Sequence, residues 1–142
     1  MSYQLVSYCS GNYADAFDFV IQSWLRTSAE RIIVYTDTIA IKSPDPRVII
    51  IPHFDPSDDW IVSVERKIQT ICDFVYTFPN VTDFAFMDID CYIARDIAPI
   101  FDHKFDIAVT RLLEKTPHAA NTASAAPWYG RMSPRLLQFV AD

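Results

Sequence analysis

The sequence predicts an α/β fold with a mostly parallel central sheet flanked by helices. Residues 4–36 contain a strand-like segment, an amphipathic segment and a second strand-like segment, which is the spacing of a right-handed crossover unit. Residues 84–87 form an apolar run too short for a helix, which indicates a strand covered on both faces, as in parallel sheets. With 142 residues, 51% of them hydrophobic, the chain has enough apolar material for one domain over residues 1–142.

Each predicted element follows from a local pattern. The first helix, at residues 13–26, has apolar side chains three and four positions apart. Ser57 is the expected N-cap of the second helix, with Asp58 and Asp59 in its first turn and its end near residues 78–80. The predicted strands are residues 4–9, 31–36, 48–51, 84–87, 105–110 and 127–132. The remaining predicted segments are a short irregular or helical passage at 94–101, a loop at 116–126 and a helix at 134–140.

The second predicted helix carries two adjacent basic residues. Lys67 lies at the border of the apolar stripe of this helix, whereas Arg66 falls on its outer face. The spacing therefore favours Lys67 over Arg66 as a residue that faces the fold. The stripe that is expected to face inward comprises Ile61, Val64, Ile68, Ile71 and Val75.

Charge and composition exclude several classes of partner. The net charge of −6 and the lack of a Lys/Arg cluster among the aromatic residues argue against nucleic-acid binding. No apolar run approaches the roughly 20 residues of a membrane span, and the first residues lack the charged start of a signal peptide. Cys9, Cys72 and Cys91 are odd in number and have no CxxC spacing, which is typical of reduced thiols. We therefore expect a cytoplasmic protein with no transmembrane segment and no nucleic-acid partner.

Two acids, Asp88 and Asp90, follow the fourth predicted strand. Alternate residues of an extended strand point to the same side, so the two carboxylates would face one direction, about 6.5 to 7 Å apart along the chain. Open α/β sheets bind ligands outside the carboxyl ends of their strands, and Mg²⁺ or Mn²⁺ accepts carboxylate oxygens together with substrate phosphates. The pair therefore predicts a divalent-cation site. The alternative is that Asp90 caps the following segment while Asp88 pairs with a nearby arginine.

The residues around this pair resemble those of GT-A-fold, metal-dependent (DxD) nucleotide-sugar glycosyltransferases. Residues 87–93 (MDIDCYI) and 95–101 (RDIAPIF) resemble the motif strand and the passage after it in glycogenin-like and bacterial lipopolysaccharide galactosyltransferases. Residues 66–74 (RKIQTICDF) are similar to the helix of the blood-group A and B transferases in which two basic residues precede the metal strand. The resemblance implies a single small, Rossmann-like GT-A domain with a short C-terminus.

The resemblance also implies roles for particular residues. In the blood-group enzymes the second basic residue lies beside the donor sugar and the first acid, which implies the same place for Lys67. Residues 12–14 (NYA) resemble the start of a helix where Tyr stacks on uracil, which implies a base contact for Tyr13 and for the backbone near Tyr8 and Cys9. Tyr13 as a simple flank of the helix is the alternative. The implied donor-binding residues are Tyr8, Cys9, Tyr13, Lys67, Asp88, Ile89 and Asp90, with Lys67 and Asp88 catalytic and with Asp88 and Asp90 as metal ligands.

The function implied by the resemblance is transfer of a hexose from a UDP-sugar to a saccharide or other hydroxyl acceptor. UDP-glucose or UDP-galactose is favoured as the donor, Mn²⁺ or Mg²⁺ is the cofactor, and retention of anomeric configuration is expected. Related enzymes supply a third metal ligand, often His, beyond the region that this chain covers, and His118 is a candidate replacement. With two aspartates as the main protein ligands, the metal is expected to bind poorly without nucleotide. A catalytically inactive module that binds nucleotide sugars is the alternative function.

Other proteins with paired acids fit the sequence less well. Phosphatases of the haloacid dehalogenase type carry the pair after their first strand, whereas here it follows the fourth. An EF-hand loop needs Gly at its sixth position, where Ile93 stands. A nucleotidyltransferase that makes nucleotide sugars would need a Gly-rich phosphate loop, and this chain has two glycines.

Overall fold

The computed structural model describes residues 2–111, 123–133, 135, 136 and 138. Within these ranges the chain forms six strands, two α-helices and two short 3-10 helices. The strands are β1 (Tyr3–Cys9), β2 (Arg31–Thr36), β3 (Val48–Pro52), β4 (Asp83–Phe86), β5 (Ile107–Arg111) and β6 (Ala123–Arg131). The α-helices are α1 (Ala14–Trp24) and α2 (Trp60–Thr77), and the 3-10 helices are Gly11–Tyr13 and Ala98–Asp102.

The six strands form one sheet in the order β3-β2-β1-β4-β6-β5. The four strands from β1 to β4 are mutually parallel, whereas β6 is antiparallel to both β4 and β5. The predicted α/β class is therefore confirmed, and the sheet is mixed. The chain passes outward from β1 to β3 and then returns to place β4 on the other side of β1. This reversal makes the carboxyl ends of β1 and β4 a topological switch point, where open α/β sheets bind ligands.

A hydrophobic core covers each face of the sheet, because successive strand residues point to opposite faces. Leu5 packs in the core beneath α1, and its neighbour Val6 packs in the core beneath α2. The predicted inward face of α1 is confirmed, since its four apolar residues are all buried: Phe17, Val20, Ile21 and Trp24. The indole Nε1 of Trp24 donates to the carbonyl oxygen of Cys91 at 2.8 Å and so ties α1 to the segment after β4.

The predicted inward stripe of α2 is only partly confirmed. Ile71 and Val75 are buried, whereas the exposed fractions of Ile61, Val64 and Ile68 are 54%, 42% and 58%. The last turns of α2 pack on the sheet, and its first turns border the carboxyl ends of β1 and β4. The apolar stripe therefore runs off the sheet in the half of the helix that precedes Ile71.

Several predicted boundaries need correction. Asp59, not Ser57, caps α2, because its side chain accepts from the Ile61 amide at 2.8 Å; Asp58 and Asp59 thus precede the helix. Strand β3 ends at Pro52, one residue beyond its predicted end, and it is half-buried because it lies at one edge of the sheet. Strand β6 includes residues 123–126, which were predicted as loop, because they continue the antiparallel pairing of β5 with β6. Residues 116–122 of that predicted loop lie outside the described residues.

The other predicted elements agree with the structure to within a few residues. Helix α1 begins after the 3-10 helix Gly11–Tyr13 and ends at Trp24 rather than at residue 26. Strand β5 covers Ile107–Arg111 instead of 105–110. Of the helix predicted at 134–140, Arg135, Leu136 and Gln138 are helical and the other residues lie outside the described part.

Candidate functional site

A cavity of about 140 Å³ lies at the switch point between the carboxyl ends of β1 and β4. One wall comes from the end of β1 and the 3-10 helix after it, and the opposite wall comes from the first turns of α2. The segment after β4 closes the third side. The lining residues are Tyr8, Ser10, Tyr13, Trp60, Ser63, Val64, Lys67, Asp88, Ile89 and Asp90.

The cavity brings together six of the seven residues that the sequence singled out: Tyr8, Tyr13, Lys67, Asp88, Ile89 and Asp90. The seventh, Cys9, lies instead in the hydrophobic core beneath α1 and is fully buried. Burial raises the pKa of its thiol to about 12, and the nearby charge of Asp37 acts in the same direction. Its carbonyl oxygen accepts from the Thr36 hydroxyl at 2.7 Å, so this backbone group joins β1 to β2.

The two acids reach the cavity from a turn rather than from an extended strand. Strand β4 ends at Phe86, and the amide of Cys91 donates to the carbonyl oxygen of Asp88 at 2.9 Å. The predicted strand-like presentation of the pair is therefore wrong. The segment that contains this turn packs against α1. The Ile93 amide donates to the Ser23 hydroxyl at 3.1 Å, and Ile89 is buried.

Lys67 forms an ion pair with Asp88. Its Nζ lies 2.6 Å from Asp88 Oδ1, and the two side chains are 28% and 22% exposed. Asp88 Oδ1 is shielded from solvent, and within the described part of the chain no donor is aligned for a hydrogen bond to it. The Lys67 ammonium is close enough to Asp88 Oδ1 for electrostatic attraction, although the angle between the two groups does not suit a hydrogen bond. Asp88 thus pairs with a lysine of α2 rather than with an arginine.

The side chains at the cavity fit a hard divalent cation in type but are few in number. Asp88 and Asp90 offer carboxylate oxygens, which Mg²⁺ and Mn²⁺ prefer. Asp90 is exposed and accessible, whereas one oxygen of Asp88 already faces Lys67. Over the described ranges, no group of three or more His, Cys, Asp or Glu residues could hold a metal. His118, the candidate third ligand, lies outside the described residues.

Sequence reasoning missed a buried polar cluster beside the cavity. Arg66 was expected on the outer face of α2, but its guanidinium Nη1 lies 3.1 Å from Asp37 Oδ2 and 3.1 Å from the Tyr8 hydroxyl. Burial raises the pKa of Tyr8, and its hydrogen bond from Arg66 partly offsets this. Asp37 follows the buried strand β2, much as Asp88 and Asp90 follow β4, and this signal could have identified it. Nothing comparable in the sequence pointed to Arg66.

A larger cavity, of about 370 Å³, lies at the other end of the sheet, where β1 and β4 begin. The beginnings of β1 and β4 line it together with the end of α2. Its buried acid, Asp83, is already paired with Arg131, whose Nε lies 2.7 Å away. We place the candidate site at the smaller cavity, because ligands bind at the carboxyl ends of strands in open α/β sheets.

Comparison of the chain with protein-family models gives no match, and a search of curated proteins gives none either. In the part of the chain that the structure describes, no helix has the length and apolar character needed to cross a membrane.

Proposed function

We propose that this protein is a GT-A-type glycosyltransferase that moves a hexose from a UDP-sugar to a hydroxyl acceptor with the help of Mn²⁺ or Mg²⁺. The observation that carries the proposal is the meeting of Asp88, Asp90 and Lys67 with aromatic side chains in one cavity at the switch point. The resemblance of residues 66–74 and 87–101 to such enzymes supports the same function.

The aromatic residues at the cavity suit the nucleobase. Tyr13 is 44% exposed and Trp60 is 73% exposed, so both rings are accessible to a planar ligand. Stacking of a base on an aromatic ring contributes roughly 1 to 3 kcal/mol. The cavity, at about 140 Å³, is smaller than a typical small-molecule pocket of roughly 300–1,000 Å³ and would enclose only part of the donor.

The charged residues suit the diphosphate. Asp88 and Asp90 would hold the cation, which when bound would act as a Lewis acid on the diphosphate and favour departure of UDP. Lys67 carries a positive charge to the same place and would attract the phosphate oxygens. Without a cation, two carboxylates of a protein with net charge −6 would repel the diphosphate. Nucleotide and metal should therefore each raise the affinity of the other by the same factor.

The first test is calorimetric titration of the protein with UDP, UDP-glucose and UDP-galactose in the presence and absence of Mn²⁺. We expect Asp90→Asn to abolish metal-dependent binding, because it removes the accessible carboxylate. Because Asp90 is exposed, the free energy of unfolding of the Asp90→Asn protein should differ from that of the wild type by less than about 0.5 kcal/mol. Asp102→Asn is the matched control. Asp102 is also exposed, but it lies on a 3-10 helix near the other end of the sheet, where β4 begins. Unchanged binding in Asp90→Asn would sink the metal-site assignment.

The alternative is a binding module that holds a nucleotide sugar without turning it over. One observation favours it: among the described residues, Asp88 and Asp90 are the only acids that line the cavity, and both are assigned to the metal. Release of UDP from a UDP-sugar by the protein, measured with Mn²⁺ and a panel of acceptors, separates the two functions. Binding without release of UDP would favour the module.

A further inference from the structure

A buried ion pair lies beside the candidate donor cavity without lining it. Asp37 follows β2, Arg66 belongs to α2, and their side chains are 2% and 12% exposed. Burying two charges carries a desolvation cost that their mutual attraction only partly offsets, so such a pair is weak evidence for stability. Its contacts indicate another role.

The Asp37 carboxylate bonds to the two segments that lead into the walls of the cavity. Its Oδ1 accepts from the Gly11 amide at 2.8 Å, and its Oδ2 accepts from the Ser57 amide at 3.2 Å. Gly11 lies between Ser10 and Tyr13, which form part of the first wall. Ser57 lies three residues before Trp60, where α2 and the second wall begin. One carboxylate therefore accepts hydrogen bonds from two segments that are remote in sequence.

The same pair also holds Tyr8, which lines the cavity. The Tyr8 hydroxyl donates to Asp37 Oδ2 at 3.2 Å and accepts from Arg66 Nη1 at 3.1 Å, which uses its donor and one acceptor site. The Arg66 guanidinium lies 5.0 Å from the centre of the Phe54 ring, and the Tyr8 ring meets the same Phe54 edge-on at 5.4 Å. The orientation of Tyr8 is therefore fixed from several sides.

We propose that Asp37 is a positioning residue that fixes the separation of the two cavity walls and the orientation of Tyr8. The identity of the ligand rests on the proposed function, whereas the geometry concerns the cavity itself. Preformed walls lower the cost of ordering side chains and loops when a ligand binds. Loss of the Asp37 contacts should therefore weaken nucleotide binding, although Asp37 itself lies behind the cavity wall.

The test compares Asp37→Asn with Asp83→Asn. Both substitutions remove the charge from a buried aspartate that is paired with an arginine. Asp83, however, lies at the start of β4, at the end of the sheet away from the candidate cavity. We expect both variants to melt at lower temperature than the wild type. At a temperature where all three proteins are folded, only Asp37→Asn should weaken UDP binding in Mn²⁺, by roughly tenfold or more. Equal UDP affinity in the two variants overturns the proposal.

Amide hydrogen exchange without nucleotide provides a second readout that is independent of ligand identity. In Asp37→Asn the amides of residues 10–13 and 60–64 should exchange faster together, whereas Asp83→Asn should leave both segments unchanged. Exchange that is unaltered in both segments of Asp37→Asn also overturns the proposal. If the wild type binds no nucleotide, the proposed function falls and the exchange result alone decides the positioning role.

A second variant covers the case in which Asp37→Asn does not fold. Arg66→Lys keeps the positive charge next to Asp37 but loses the planar guanidinium that reaches Tyr8 and Phe54. We expect it to show the same pattern: weaker UDP binding than Asp83→Asn and faster exchange in residues 60–64. Wild-type behaviour in both measurements counts against the proposal.

Discussion

At the scale of single residues, Arg66 and Lys67 are neighbours in the chain but meet different carboxylates. Arg66 lies in a buried cluster with Asp37, whereas Lys67 reaches Asp88 at the cavity. An ammonium group 2.6 Å from Asp88 occupies a place that a cation would also seek. Lys67 is therefore expected to oppose metal binding in the free protein and to favour the nucleotide once the metal is bound.

Lys67→Met should consequently shift two affinities in opposite directions. Mn²⁺ alone should bind more tightly, because no ammonium competes for Asp88, and UDP with Mn²⁺ should bind more weakly, because one positive charge is lost. The free energy of unfolding should fall by about 1 kcal/mol, since both partners are only about a quarter exposed. Calorimetry of Mn²⁺ with and without UDP measures both affinities.

Lys104→Met is the appropriate control for this prediction. Lys104 is exposed and follows the 3-10 helix Ala98–Asp102, near the end of the sheet where β4 begins. Arg66 is unsuitable as a control, since it contacts Tyr8. Equal effects of Lys67→Met and Lys104→Met would show that Lys67 is an ordinary surface residue.

At the scale of secondary-structure elements, β6 is the strand that makes the sheet mixed, and it depends on a close approach to β4. Gly130 pairs with Phe84 in the β4–β6 register. A Cβ atom at Gly130 would lie 2.4 Å from Phe84 Cζ, which is closer than atoms can pack. The Phe84 ring is 2% exposed and lies 5.0 Å from the Phe74 ring, so it has little room to move.

Gly130→Ala should therefore lower the free energy of unfolding by about 1 to 3 kcal/mol, the usual cost of overpacking a core. Gly11→Ala is the control, because its Cβ would lie 3.7 Å from Thr38 Cβ, an ordinary contact. Urea denaturation measures both variants. A Gly130→Ala protein as stable as the Gly11→Ala protein would contradict the close packing of β6 on β4.

At the scale of the whole molecule, Asp96 joins three segments that lie far apart in sequence. It accepts hydrogen bonds from the Tyr3 hydroxyl at 2.7 Å, the Ser28 amide at 2.7 Å and the Ala98 amide at 3.0 Å. Burial alone would raise the pKa of Asp96, but hydrogen bonding to the Ser28 side chain, the Ala98 amide, the Tyr3 hydroxyl and the Ser28 amide outweighs it and lowers the pKa from 3.8 to about 2. The charged form is thus favoured in the folded protein.

This shift determines a pH dependence with a definite sign. Because the pKa is lower in the folded protein, Asp96 stabilises the fold above pH 3.8, and this contribution is lost as the pH falls towards about 2. Asp96→Asn should be less stable than the wild type at neutral pH, and its urea midpoint should fall less steeply between these two pH values. Asp102→Asn, on the adjacent 3-10 helix, should keep the wild-type slope. A wild-type slope in Asp96→Asn would contradict this role.

The sequence by itself determined the elements whose signal is local. Strand β2 was predicted with its observed bounds, and the buried face of α1 followed from the spacing of Phe17, Val20, Ile21 and Trp24. The place of Asp88 and Asp90 after β4 was also predictable, because a short apolar run that ends in acids indicates the carboxyl end of a buried strand. These features depend on residues that are close neighbours in the chain.

Only the tertiary structure decided how the site is assembled. The helical pattern of α2 could not show that its first half extends beyond the sheet, so Arg66 was expected outside and Ile61 inside. The turn at residues 88–91 is stabilised by contacts with α1, about 70 residues earlier in the chain. Asp37 acquires its partners because β1 and β2 end, and α2 begins, at the same end of the sheet. Strand order and helix overhang set these contacts, and they arise from packing between distant segments rather than from any local pattern.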